Sequence, residues 1–197
     1  MLLLYAIIAG LLVGRLDGGR LSPLAEVHFR WWGLALGGLG FQLLLFSGPL
    51  TERVGAAGPA LYVASTLAVF AAMLRNRGLP GFSILAVGAA LNLLAIMLNG
   101  GYMPSSADAW LQLNGVARLP VEAYTNAALA GAHTWLPFLG DLFVLPRPLP
   151  FATVFSIGDV LIGVGAAVFL IRTMHLPMTT DVVDVASPAS APSAVPR

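Results

Sequence analysis

The sequence contains no cysteine, and its ten basic residues are all arginine, with no lysine among 197 positions. The first absence excludes disulfides, thiolate nucleophiles, iron–sulfur clusters and cysteine-ligated zinc, whichever compartment the chain occupies. Charge is scarce as well. Only 10% of residues are charged and the formal net charge is +1, which leaves no basic footprint for nucleic acid. The three histidines, His28, His133 and His175, supply no pair within the apolar runs, so bis-histidine haem ligation has no support. His133 with Glu122 and Asp141 has metal-ligand chemistry, but the spacing repeats no known site. Walker and Rossmann glycine patterns are missing too, so neither a metal nor a cofactor is expected.

What fills the sequence instead is apolar: 58% of residues are hydrophobic and the mean hydropathy is +0.86. A soluble domain of this size needs a far more charged surface. Five runs approach the ~20 residues that cross ~30 Å of hydrocarbon as a helix. They are Met1–Val13, Trp31–Phe46, Ala60–Leu74, Phe82–Leu98 and Ile157–Met174. The first is short, has no preceding basic residue and is followed by Arg15-Leu16-Asp17-Gly18, not by a small-residue cleavage site; it reads as a retained helix extending toward Leu16. Trp31 and Trp32 suit an interfacial anchor, and Leu21–Arg30 suits a segment lying along the interface.

Arginine placement sets the orientation. With the N-terminus outside, Arg15, Arg20, Arg30, Arg75, Arg77, Arg172 and Arg197 are cytoplasmic, against Arg53, Arg118 and Arg147 outside, which favours N-out/C-in. The expected fold class is therefore all-α: a polytopic, multi-pass membrane helical bundle over residues 1–175, with the lipid bilayer as its first partner. Residues 176–197, rich in Ala, Ser, Pro and Val without periodicity, read as a disordered cytoplasmic tail.

Between the fourth and fifth runs lies a connection of about fifty residues, Asn99–Pro150, far longer than a helix connection needs. It is expected to be an ordered outer cap. Ser105-Ser106-Ala107-Asp108 has capping-box form and opens an amphipathic stretch to Val116; Pro120–Ala130 suits a second short helix. Trp110, Tyr124 and Trp135 supply rings suited to headgroup depth. Pro146-Arg147-Pro148-Leu149-Pro150 suggests a stiff, extended approach to the last helix.

Polar residues at membrane depth are few, and each has a structural and a functional reading. Asn92 and Asn99, seven apart, share a face of the fourth helix, and Gln42 lies in the second. They line a small polar cavity or serve as interhelical hydrogen-bond partners. Gly33-x-x-x-Gly37 and Gly163-x-x-x-Ala167 are small-xxx-small patterns, for intramolecular packing or for a homodimer seam. Asp159 sits at N3 of a capping box, Ser156-Ile157-Gly158-Asp159, and has a purely structural role there. Paired with Asp141, it forms instead a carboxylate dyad able to activate water and protonate a leaving group, provided the connection folds back over the outer face.

Four segments carry a family resemblance: Gly19-Arg20-Leu21-Ser22, Asn99-Gly100-Gly101-Tyr102-Met103-Pro104, Phe138-Leu139-Gly140-Asp141 and Phe155-Ser156-Ile157-Gly158-Asp159. In this order they resemble the bacterial membrane protein family catalogued as domain of unknown function 5317. That resemblance implies architecture and a multi-pass place in a bacterial inner (plasma) membrane, and no activity. The last third is more weakly similar to signal peptidase II, an intramembrane aspartyl protease. Phe155, Asp159, Ile162 and Gly165 match its last-helix pattern, Asp141 precedes Asp159 by eighteen residues, and Gly88-Ala89-Ala90-Leu91-Asn92 matches a Gly-Ala-rich segment ending in Asn. The Asp-Arg pair that follows this Asn in that enzyme is replaced by Leu93-Leu94-Ala95-Ile96, and its Asn-x-Gly motif after the first span is absent.

Three functions are compatible with these residues, and the scarcity of cofactor ligands and ion-coupling charges makes the first the expected one, with the other two as alternatives. The first is a non-catalytic structural, accessory or interaction subunit, meeting a membrane protein partner through the cap 99–150 or through glycine-rich helix faces. The second is an aspartyl hydrolase using Asp141 and Asp159. The third is a small-solute channel or carrier, which needs a continuous polar path past Asn92 and Gln42.

Overall fold

The computed structural model describes residues 2–47, 53–116 and 126–177. Helices α1 (Leu2–Leu16), α3 (Trp32–Leu45), α4 (Gly58–Arg75), α5 (Phe82–Leu98) and α7 (Ile157–Met174) are long and apolar, whereas α2 (Ser22–Ala25) and α6 (Ala107–Asn114) are short. Two helical segments, Gly55–Arg75 and Ile157–Met174, are long and apolar enough to cross a membrane; α1, α3 and α5 are shorter. The first run extends to Leu16, as its length requires.

The long helices pack in an open arc in the order α1, α7, α5, α4, α3. Neighbours are placed by small residues and by amides. Gly10 lies against Ala167 and Gly14 against Met174, so α1 and α7 run parallel. Gly81 meets Gly165 and Gly88 meets Gly158, so α5 runs antiparallel to α7. Gln42 donates at 3.2 Å to the hydroxyls of Ser65 and Thr66, and Gly38 lies against Val69, which ties α3 to α4. Leu2, Leu45, Gly58, Leu98 and Ile157 therefore share one end of the bundle, here the cap end. Trp32, Arg75 and Phe82 share the far end, where Asn76 holds the turn into α3. Its amide oxygen accepts from the Arg30 N–H at 2.8 Å, and its amide nitrogen donates to the Arg30 carbonyl at 2.7 Å. Asn76 is 4% exposed. Asn76→Ala leaves both Arg30 backbone groups without this partner and is expected to cost about 2–3 kcal/mol, read from unfolding in detergent.

Of the two glycine patterns, Gly163-x-x-x-Ala167 packs within the chain, against Ala6 and Gly10 of α1. Gly33-x-x-x-Gly37 does not, because a Cβ at either glycine would meet nothing within 4 Å. Intramolecular packing on α3 is made one residue on, at Gly38, and of the two readings of Gly33 and Gly37 the seam between copies is the one that leaves both glycines unpacked within the chain.

The all-α expectation is corrected by the connection. Its described residues contain strands β1 (Met103–Ser105), β2 (Ala127–Leu129) and β3 (Phe143–Leu145), and β4 (Thr153–Phe155) follows just before α7. Strand β2 pairs parallel with β1, and β3 pairs antiparallel with β4. Strands of three residues are too short to show alternation, so nothing in the hydrophobic period marks them. Residues 120–125 of the expected second helix lie outside the described residues, and 127–129 are strand. The first cap helix forms one residue later than its motif suggests: the N-cap is Ser106, whose hydroxyl accepts from the Ala109 N–H at 3.3 Å. Ser105 is thereby released for another role. The proline-rich segment Pro146–Pro150 is no extended strut but belongs to the reversal between β3 and β4. Tyr5 of α1 holds this hairpin by donating to the Pro150 carbonyl at 2.7 Å. Of the expected tail, residues 178–197 lie outside the described residues.

Candidate functional site: a carboxylate pair at the cap end

The β3–β4 hairpin brings two distant carboxylates to one place. Phe143 pairs with Phe155, so continuing the register toward the helix sets Asp141 beside the first turn of α7, where Asp159 lies. The Asp141 backbone also joins the hairpin to β1. Its N–H donates to the Pro104 carbonyl at 2.8 Å, and its carbonyl accepts from the Ser106 N–H at 2.9 Å. Its side chain accepts from the Ser105 hydroxyl at 3.0 Å. The folding back that a dyad requires is thus made by backbone pairing on both sides of Asp141.

Asp159 is held by a closed ring of hydrogen bonds. Ser156 caps α7, its hydroxyl accepting from the Asp159 N–H at 3.0 Å while its own N–H donates to Asp159 Oδ2 at 3.0 Å. The same hydroxyl donates to Asn92 Oδ1 at 2.8 Å, which orients the amide so that Asn92 Nδ2 donates to Asp159 Oδ1 at 2.8 Å. The capping box read from the sequence is present, and it aims the carboxylate as well as starting the helix. The reach of Asn92 depends on Gly88 and Gly158. A Cβ at 158 would collide with the Asn92 amide, and one at 88 would come within 2.9 Å of the Ile162 nitrogen.

Both carboxylates line a single cavity of about 630 Å³, within the size range of small-molecule sites. Asn92, Gln42, Tyr62, Asn126 and Trp110 also line it. Asn126 donates to the Tyr62 hydroxyl at 3.2 Å. The indole N–H of Trp110 is buried, with no hydrogen-bond partner among the described residues. Burial, and after it the charge of Asp159, raise the Asp141 carboxyl from 3.8 to about 6 against the opposing Ser105 hydrogen bond. Of the other expected polar positions, Gln42 makes the interhelical bonds described above. Asn99 is elsewhere: it caps α5, its amide nitrogen donating to the carbonyls of Ala95 and Trp135 and its oxygen accepting from the Trp135 N–H. It orders the cap and does not line the cavity.

For a metal, Glu122 lies outside the described residues, and no grouping of three or more His, Asp or Glu suited to a metal ion occurs among the described ones. Ser105, Tyr62 and Asn126 belong to the site although the sequence does not single them out. Ser105 hides behind a capping motif that starts one residue late, Tyr62 looks like an ordinary aromatic in an apolar run, and Asn126 sits just before β2 in a segment that reads as helix.

These features define a class: a mostly helical protein with helices suited to crossing a membrane and a cavity lined by two carboxylates under a small β-containing cap. Within it, the chain belongs to the family described as "Family of unknown function (DUF5317)", whose model matches residues 26–171. The match begins beyond the Gly19-Arg20-Leu21-Ser22 segment and includes the other three motifs. The chain is also similar to an uncharacterized protein of Thermotoga maritima, with 29% identity over 129 residues, 66% of this chain and 73% of the relative. No solved structure matches it.

Proposed function

We propose that the chain is a multi-pass protein of a bacterial inner membrane, with five spans, N-out and C-in, and that Asp141 and Asp159 form a hydrolytic dyad at its outer face. The alternation of the five long helices between two ends supports the span count. Orientation follows from Arg15, Arg20, Arg30, Arg75, Arg77 and Arg172, which sit at or near the far end of the bundle, whereas Arg147 belongs to the cap. The single observation that carries the hydrolase reading is the presence of both carboxylates in the wall of one cavity.

The chemistry assigns the two residues different tasks. Asp159 accepts N–H hydrogen bonds on both oxygens and serves as base, taking a proton from water as the water oxygen bonds to the substrate carbonyl carbon. Asp141, which burial keeps protonated up to about pH 6, gives its proton to the departing nitrogen or oxygen as the carbon–heteroatom bond breaks. The pair is left with its proton on Asp159, and exchange with solvent restores the starting state.

The test is release of fluorophore from membrane-partitioning amides and esters by the purified protein in vesicles. Wild type turns over at least one class, and Asp141→Asn and Asp159→Asn each lose about 10²–10⁴-fold while remaining folded. Turnover that survives both substitutions, or a wild type inert toward every amide and ester but isolated with a stoichiometric partner on its cap, would replace this reading with that of an accessory subunit. A channel has less support, because the cavity beyond Gln42 and Thr66 is walled by Leu39, Val69, Phe70 and Met73.

A further inference from the structure

The helix arc does not close. Helix α1 packs on α7 and α3 packs on α4, but α1 and α3, its two ends, have no comparable packing with each other. The cavity lies at this opening. Leu3 of α1 and Leu39 of α3 both line it, and they are 42% and 47% exposed. A residue that is exposed and also lines a cavity marks its mouth. The surrounding exposed residues on these helices are Leu4, Leu36 and Leu43, an apolar rim unsuited to water and continuous with the surface that the proposed bilayer covers.

Inside, the cavity is graded along α4. Asp141, Asp159, Asn92, Asn126 and Tyr62 stand at the cap end. Thr66 and Gln42 follow one turn deeper, and beyond them the wall is apolar as far as Met73. At 1.5 Å per residue the stretch from Tyr62 to Met73 is about 16 Å, of which about 10 Å lies past Thr66. A polar head region joined to an apolar arm about 10 Å long, in a cavity of about 630 Å³ with a sideways mouth, matches an alkyl chain carrying a polar group better than a folded protein segment or a small hydrophilic solute.

We propose that the site takes a single-chain amphiphile from the outer leaflet through the gap between α1 and α3, with its alkyl chain along α4 toward Met73 and its carbonyl head group beside Asp141 and Asp159. The assignment of the head group rests on the hydrolase reading; that of the chain does not. Entry from the side requires no passage through the cap, and hydrocarbon on both sides of the mouth makes the transfer of the chain nearly neutral. Selection therefore rests on the head group and on the length of the apolar arm, about 10 Å past Thr66.

The experiment uses the full chain in phosphatidylcholine vesicles with a dodecanoyl amide bearing a diazirine at its alkyl end. After irradiation, adducts are located by mass spectrometry. Expected is an adduct at Met73 that saturates at about one probe per chain and is suppressed at least tenfold by excess unlabelled dodecanoyl amide. The adduct at Leu43, 76% exposed and outside the cavity, is not suppressed. Leu39→Trp narrows the mouth and is expected to reduce the Met73 adduct about tenfold without changing that at Leu43. Labelling of Met73 no more competable than that of Leu43, or unaffected by Leu39→Trp, overturns the proposal. Turnover measured on the same wild-type samples separates the two readings: competable Met73 labelling without turnover leaves amphiphile binding right and hydrolysis wrong, and turnover without competable labelling condemns the amphiphile site alone.

Discussion

Asp141→Asn is expected to abolish turnover and to make the protein more stable at neutral pH. The folded state holds the Asp141 proton up to about pH 6, against 3.8 for the ordinary carboxyl, so between these values the native chain binds more protons than the unfolded one. Stability contributed by this proton is complete below about pH 4 and is lost as pH rises through 6. At 1.36 kcal/mol per unit the loss approaches about 3 kcal/mol. An Asn at 141 carries no such penalty and still offers an oxygen to the Ser105 hydroxyl. Unfolding in detergent at pH 4.5 and pH 7.5 is expected to show a steep decline for wild type and a nearly flat profile for the variant, which is the more stable at pH 7.5 by about 2 kcal/mol. Turnover falls by about 10²–10⁴-fold. The proposed mechanism uses Asp141 in its protonated form, so wild-type activity is expected to decline about tenfold per unit above pH 6. A residue that merely tied the cap together would produce the opposite stability change.

The second large effect is expected at Gly158. A methyl group there occupies the place of the Asn92 amide, so Gly158→Ala must either displace Asn92 or push α5 away from α7. Overpacking of this kind costs about 1–3 kcal/mol, and here it also breaks the hydrogen-bond ring that aims Asp159. The expected result is a lower unfolding midpoint together with at least a hundredfold loss of turnover. Gly37→Ala, where a Cβ meets no neighbour, is expected to raise stability by up to about 1 kcal/mol through helix propensity, to leave turnover unchanged, and so serves as the control. Equal effects at 158 and 37 would contradict the packing described for α5 and α7.

The contrast between Gly37 and Gly158 shows what the sequence discloses and what it withholds. Both are glycines in apolar helices, and a small-xxx-small pattern selects Gly33 and Gly37, which meet nothing, while the decisive pair is Gly88 with Gly158. Periodicity places a residue on a helix face but not that face against a partner. The apolar helices are legible because burying a helical backbone in hydrocarbon demands long apolar runs, which composition reveals directly. The capping box of α7 is legible because it is a local motif. The cap is not: β1 pairs with β2 across more than twenty residues, and Ser105 meets Asp141 across 36. Such pairings follow from register and backbone hydrogen bonds, which no local pattern encodes. Asp141 and Asp159 are recoverable as candidates by residue type and spacing; their convergence depends on the hairpin.

The most direct measurement of the central claim is a carbon-13 NMR titration of the aspartate side-chain carboxyls in detergent micelles, with Asp141 assigned by its loss in Asp141→Asn. The paired-carboxylate account predicts an Asp141 midpoint near pH 6 that moves down in Asp159→Asn yet stays above 3.8, because burial is the larger cause and the neighbouring charge the smaller. A midpoint near 4 that Asp159→Asn leaves unchanged would mean that the two carboxylates do not share a site, and the hydrolytic reading would fall with it.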